Sequence, residues 1–269
     1  MSNNRLSVPA PLFCGILALT VVLTSKTLDA AESTTATPRW PFETRIGVFA
    51  VHADYDVRGR QPLLDQLAGL NEELTRALQI DIQQETIHLI LFRHRHSYRH
   101  YMRLHFPDIP DRQALFVRRR GPGMVFAYES SAMETDLRHE TTHALLNASL
   151  PYVPLWLDEG LAEYFEVPAS QRQHNNPHHR LIKLQAVVRR VPDLQSLEAV
   201  SSLNEMGSAQ YRDAWAWVHF LLHESDESRQ VLAGFLQELQ AHSPPGSLAR
   251  RVAAEIPDHK QRFLTHFGL

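Results

Sequence analysis

Hydrophobic positions along the chain change period several times, and each change marks an element. Arg45 to His52 alternates as a strand does. From Pro62 to Leu78 the leucines at 63, 64, 67, 70, 74 and 78 repeat at helical spacing, so this stretch is expected to form an amphipathic helix. Thr86 to Phe92 is a continuous apolar strand, and Ser97 to His105 reads as a short helix ended by Pro107. Ala114 to Arg118 and Met124 to Tyr128 flank Gly121-Pro122-Gly123, the pattern of a hairpin. Ser131-Ala132-Met133-Glu134 has capping-box spacing and opens a helix that runs on through Ala144, Leu145 and Leu146. After a short loop with two prolines, Ser149 to Pro154, the remaining pattern is almost all helical. Helices are expected at Trp156 to Val167, His179 to Arg190, Gln195 to Val200, Tyr211 to His223 and Ser228 to Ala241, with a polar loop from Pro168 to His178. The fold class that follows is α+β: a small mixed-sheet lobe (45–150), a mainly helical lobe (151–269), and one long helix joining them.

The first 44 residues differ in kind. Leu12 to Thr24 is apolar and short for a membrane span, and Ala30-Ala31 supplies small residues after it. Residues 1–31 are therefore expected to be a signal peptide, cleaved or kept as an anchor, and residues 32–44 a linker. An exported protein of the periplasm or cell envelope, or a secreted one, is expected. The only cysteine, Cys14, lies in the leader, so a cysteine metal site, a thiol nucleophile and disulfides are all excluded from the rest. The net charge of −3 argues against nucleic acid as a partner. Membrane contact is expected only through an uncleaved leader, and the oligomeric state is left open.

The chemistry concentrates at His139-Glu140-Thr141-Thr142-His143. A helix turns about 100° per residue, so residues four apart lie within about 40° of each other and two imidazoles can share a metal ion. Glu140 is then beside the metal and free to act on water. The next helix carries Glu159 and Glu163 at the same spacing, so either could supply the third ligand. Two imidazoles and a carboxylate with a fourth place for water suit zinc. Other histidines offer less. His94, His96, His100 and His105 lack carboxylates in context and are read as a polar helix face, and His219 and His223 as core or surface residues. Arg118, Arg119 and Arg120 are read as a solvated charge run guarding the hairpin edge.

His139-Glu140-x-x-His143-Ala-Leu-Leu followed by Pro154-x-Trp156-Leu157-x-Glu159-Gly160-Leu161-Ala162-Glu163-Tyr164 resembles the gluzincin zinc peptidases, and is most similar to peptidase-MA-like proteins of bacterial cell envelopes. The resemblance implies a zincin-like fold with the active-site helix between the lobes, and a zinc-dependent peptidase acting on peptides or proteins. It implies His139, His143 and Glu159 as zinc ligands and Glu140 as general base. Glu163 would hold a ligand imidazole in its tautomer, and Tyr211 would stabilise the oxyanion. It also implies that Met124–Tyr128 is an edge strand on which substrate docks. The aminopeptidase pattern Gly-x-Met-x-Asn is missing, as residues 121–125 read Gly-Pro-Gly-Met-Val, which favours an endopeptidase. The rival reading is a non-catalytic zincin-fold binding or scaffolding protein.

Overall fold

The computed structural model describes residues 40–268, so the leader and most of the expected linker lie outside the described residues. The chain enters a hairpin of β1 (Phe42–Ile46) and β2 (Phe49–Ala53). This corrects the single strand expected from Arg45 to His52 and moves the end of the linker to before Phe42. The alternation runs through both strands because the connection is only two residues long, with Ile46 paired to Phe49. Gly47 takes φ +54°, the left-handed value that tight hairpin turns require.

α1 (Gln61–Leu78) carries Pro62 in its first turn, where a missing N–H costs nothing, and buries its leucine stripe. β3 (Ile87–Phe92) lies parallel to β2, and α2 (Arg95–His105) follows it. β4 (Ala114–Val117) and β5 (Met124–Tyr128) form the expected hairpin. The sheet order is β1-β2-β3-β5-β4, with β5 parallel to β3. Thus β5 is an interior strand and β4 is the edge, a correction to the expected docking strand. Side chains of β5 alternate between two cores. Val125 and Ala127 face the main one, while Phe126 and Tyr128 face a smaller cluster covered by α2.

α3 (Met133–Ser149) crosses from the sheet to the helices. The capping box does not form. The helix starts one residue late for it, Ala132 holds the cap position, and the Ser130 hydroxyl accepts the Ala132 N–H at 3.2 Å. Helices α4 (Leu155–Phe165), α5 (Ala169–Arg172), α6 (His179–Val187) and α7 (Leu194–Glu198) follow. The last four are α8 (Ser208–His223), α9 (Asp226–Gln240), α10 (Leu248–Glu255) and α11 (His259–His266). α8 begins a turn before Tyr211, and α6 stops short of Arg190 because Arg189 enters the left-handed region at φ +58°.

α4 and α8 pack more closely than side chains allow. A methyl group on Gly160 would lie 2.8 Å from the Ala214 carbonyl oxygen and 3.0 Å from Val218 Cγ2. The glycine after Glu159 is therefore required by the approach of two backbones. The apolar core runs without a break from Phe49 in the sheet, through Leu145 and Trp156, to Phe267 after α11. No helix among the described residues is long and apolar enough to cross a membrane.

Candidate metal centre

α3 buries polar as well as apolar residues. His139, Glu140, Thr141 and Thr142 are wholly buried, and Glu159 on α4 is too. Burying ionisable groups costs several kcal/mol each unless they are paired or bind a metal. The short loop between α3 and α4 brings the two helices side by side and turns the Glu159 carboxylate towards the two imidazoles. His139 Nε2 and His143 Nε2 are 3.2 Å apart. Glu159 Oε2 is 3.6 Å from the first and 3.7 Å from the second. A point equidistant from these three atoms lies about 2.0 Å from each, the length of a Zn–N or Zn–O bond. Neither oxygen of Glu159 has a hydrogen-bond partner among the described residues. Two imidazole nitrogens and a buried carboxylate oxygen that pairs with them only at ion-pair distance, without a hydrogen bond, could hold a cation such as zinc.

The outer nitrogens of both rings also meet carboxylates. Glu166 Oε2 lies 3.1 Å from His139 Nδ1, and Asp158 Oδ2 lies 2.9 Å from His143 Nδ1, out of line with the ring N–H. Burial works against charge on His139, but Glu159 and Glu166 outweigh it and raise its pKa. Burial likewise opposes charge on His143, where Asp158 and Glu159 prevail and raise it. Desolvation raises Glu166 to about 7, helped by the neighbouring Glu163. Acid outnumbers base here, which favours a divalent cation.

Glu163 makes no hydrogen bond to His139 or His143 among the described residues, though one of its carboxylate oxygens lies within 4.8 Å of a His139 ring nitrogen. Its Oε2 pairs with His178 Nε2 at 2.8 Å, because the loop after α5 folds His178 back onto α4. The contacts expected of Glu163 belong to Asp158 and Glu166, neither of which the sequence reading singled out. Glu166 follows Glu159 by seven residues, two helical turns, and that spacing was the available signal. His139, Glu163 and Glu166 form a second group whose ligand atoms lie within 4.8 Å of one another. Both of its carboxylates already pair with an imidazole through one oxygen, Glu163 with His178 and Glu166 with His139.

Glu140 is held from the sheet side. Its Oε2 accepts the Phe116 N–H at 2.7 Å, from the edge strand β4. Its Oε1 has no partner among the described residues. Burial raises its pKa against the opposing pull of His139 and His143. The hydroxyl of Tyr211 on α8 is also buried and unpartnered. Burial pushes its pKa upward, as do the negative charges of Glu159, Glu163 and Glu140, while Arg112 acts in the other direction. Tyr211 thus stays a neutral donor within electrostatic reach of the same carboxylates.

The remaining residues considered from sequence lie elsewhere. His94, His96, His100 and His105 are exposed on or beside α2. Arg118 pairs with Glu85 at 2.9 Å and donates to the Asn147 carbonyl, and Arg119 lies over the Phe106 ring, so the arginine run is partly tied down. His219 is buried and contacts His266, and His223 contacts the Tyr164 hydroxyl. No family model matches the chain, and no curated protein matches it.

Proposed function

We propose that the protein is a zinc-dependent peptidase of zincin-like architecture, exported to the cell envelope and acting as an endopeptidase. The observation that carries this reading is the meeting of His139, His143 and Glu159 at bond distance from one point, with Glu140 alongside. A zinc ion held by those three residues would lower the pKa of water to about 7 and polarise a carbonyl group. Glu140 would take a proton from water through its Oε1, which has no hydrogen-bond partner among the described residues, and return it to the leaving amine. The Phe116 N–H fixes the other oxygen, so the base keeps one orientation. Tyr211 supplies a hydroxyl donor for the developing oxyanion. Glu166 would hold the His139 imidazole in the tautomer that presents Nε2 inward, and the Asp158 carboxylate would add negative charge beside the His143 ring.

Substrate docking moves from β5 to β4. The Phe116 N–H points off the free edge towards α3, so by the alternation of an antiparallel ladder the Ala114 backbone groups face the same way. An extended peptide adding to that edge would pass Glu140. The centre is closed to solvent, since His139, Glu140, His143 and Glu159 are all buried, so a substrate would need an opening for access.

The test is Glu140→Gln against a peptide library read by mass spectrometry. Zinc content is expected to stay while cleavage falls about 10²–10⁴-fold, because only the proton carrier is removed. Cleavage by the variant at the wild-type rate contradicts the mechanism. A zinc-loaded wild type that cleaves nothing favours the binding or scaffolding role instead.

A further inference from the structure

Far from the metal centre in composition, α6 carries an unusual surface. Ile182 and Ala186 anchor it to the core with no exposure, yet Leu184 and Val187 are each 56 % exposed and Val188 is 72 % exposed. Leu181 adds to the same outward side. Single exposed apolar residues are ordinary, but four within eight positions of one short helix form a ridge. The charges carried by the helix and its flanks have one sign, and Asp213, the carboxylate near Arg190, is already bonded by Arg212. Arg180, Lys183, Arg189 and Arg190 are exposed, and none makes a salt bridge among the described residues. No Asp or Glu occurs between Glu166 and Asp193. Asp193 itself is occupied, capping α7 through Gln195 and bonding Ser196. Arg172, the other cation of the stretch, is already paired with Glu73.

We propose that α6 docks on an anionic lipid surface, with Leu181, Leu184, Val187 and Val188 dipping into the acyl boundary and the four basic side chains meeting lipid phosphates. Nine residues are too few to span a bilayer, so the helix lies in the interface plane. Charge complementarity selects the occupant: an apolar ridge alone would suit many partners, whereas a ridge flanked by four basic side chains without salt bridges suits a negatively charged membrane face. Each basic side chain near such a surface strengthens binding about five-fold, so the four act together where one would not. This contact is independent of the leader and of metal binding.

A reporter on α6 itself separates this contact from any made by the apolar run Leu12–Thr24. The full chain carrying Cys14→Ser and Val188→Cys is labelled with the environment-sensitive dye NBD and mixed with vesicles of phosphatidylglycerol and phosphatidylcholine in equal parts. The dye is expected to brighten several-fold and shift to the blue, and lipid-borne quenchers in the acyl region should quench it. Pure phosphatidylcholine vesicles and high salt should abolish the change, as should Arg180→Glu with Lys183→Glu. The same dye at Leu104→Cys, an exposed site on α2, should not respond. An unchanged signal at position 188 with the anionic vesicles overturns the proposal, as does a response that survives the two charge reversals. Brightening without vesicles that grows with protein concentration assigns the ridge to a second copy of the chain and also overturns it.

Discussion

Replacing Gly160 by alanine tests whether the α4–α8 contact is as close as the structure shows. The added methyl would meet the Ala214 carbonyl oxygen at 2.8 Å and carbon at 2.9 Å, roughly half an ångström inside ordinary contact. Both atoms are backbone within a packed helix, so neither can swing aside. Overpacking of this kind costs about 1–3 kcal/mol, and the better helix propensity of alanine returns up to about 1 kcal/mol. The expected net loss is about 1–2 kcal/mol, or a Tm lower by about 3–6 °C for a chain of this size. Calorimetry on wild type and variant reads it. The strain is also relieved by moving α8, which carries Tyr211, relative to α4, which carries Glu159. Peptide turnover should therefore fall more than the stability loss explains, with zinc content unchanged. A Gly160→Ala variant as stable as wild type or more so would refute the close approach and the reason given for this glycine.

Tyr211→Phe should leave Tm nearly unchanged, since the hydroxyl has no partner to lose, yet lower kcat about 10²–10³-fold in the same peptide assay; unaltered kcat would remove Tyr211 from the chemistry. Glu166→Gln should weaken zinc binding about 10–100-fold in competition with a chelating dye, because His139 loses the charged partner of its outer nitrogen; unchanged affinity would show that contact to be incidental. Stability should fall in mild acid through the buried histidine cluster. Burial, with the neighbouring His223 and His179, pushes His219 down to about 3 and His266 to about 4, while Glu224 pulls His266 the other way. The unfolded chain takes up these protons below about pH 6.5 and the fold does not, so stability is full above 6.5 and drains as pH falls towards 4. His219→Gln should flatten that slope by about 1.4 kcal/mol per pH unit in urea titrations, and an identical slope would exonerate the cluster.

Much of the fold could be read in advance because local pattern and final burial agree. α1 differs from its leucine stripe by a single residue at its start, and α8 ends at His223 as its apolar pattern does. What failed depends on partners distant in sequence. Hairpin spacing at Gly121-Pro122-Gly123 pairs β4 with β5 but cannot say which of them also meets β3, and the parallel pairing of β5 with β3 was invisible. The β1–β2 turn was missed because alternation continues across Gly47. At the centre, His139, His143 and Glu159 come together because helical spacing and a short loop are local properties. The neighbours of the outer nitrogens are not local. Nothing in the motif singled out Asp158 beside Glu159, and Glu163 pairs with His178, whose position depends on how the loop after α5 returns.

Zinc measured by plasma mass spectrometry on the purified chain, after exposure to the metal and exhaustive dialysis, bears most directly on whether these side chains form a metal site. One zinc per chain, lost on His143→Ala or Glu159→Gln and kept in Glu140→Gln, is the predicted result. A wild-type chain that retains no zinc, or one whose zinc is indifferent to His143 and Glu159, would contradict it.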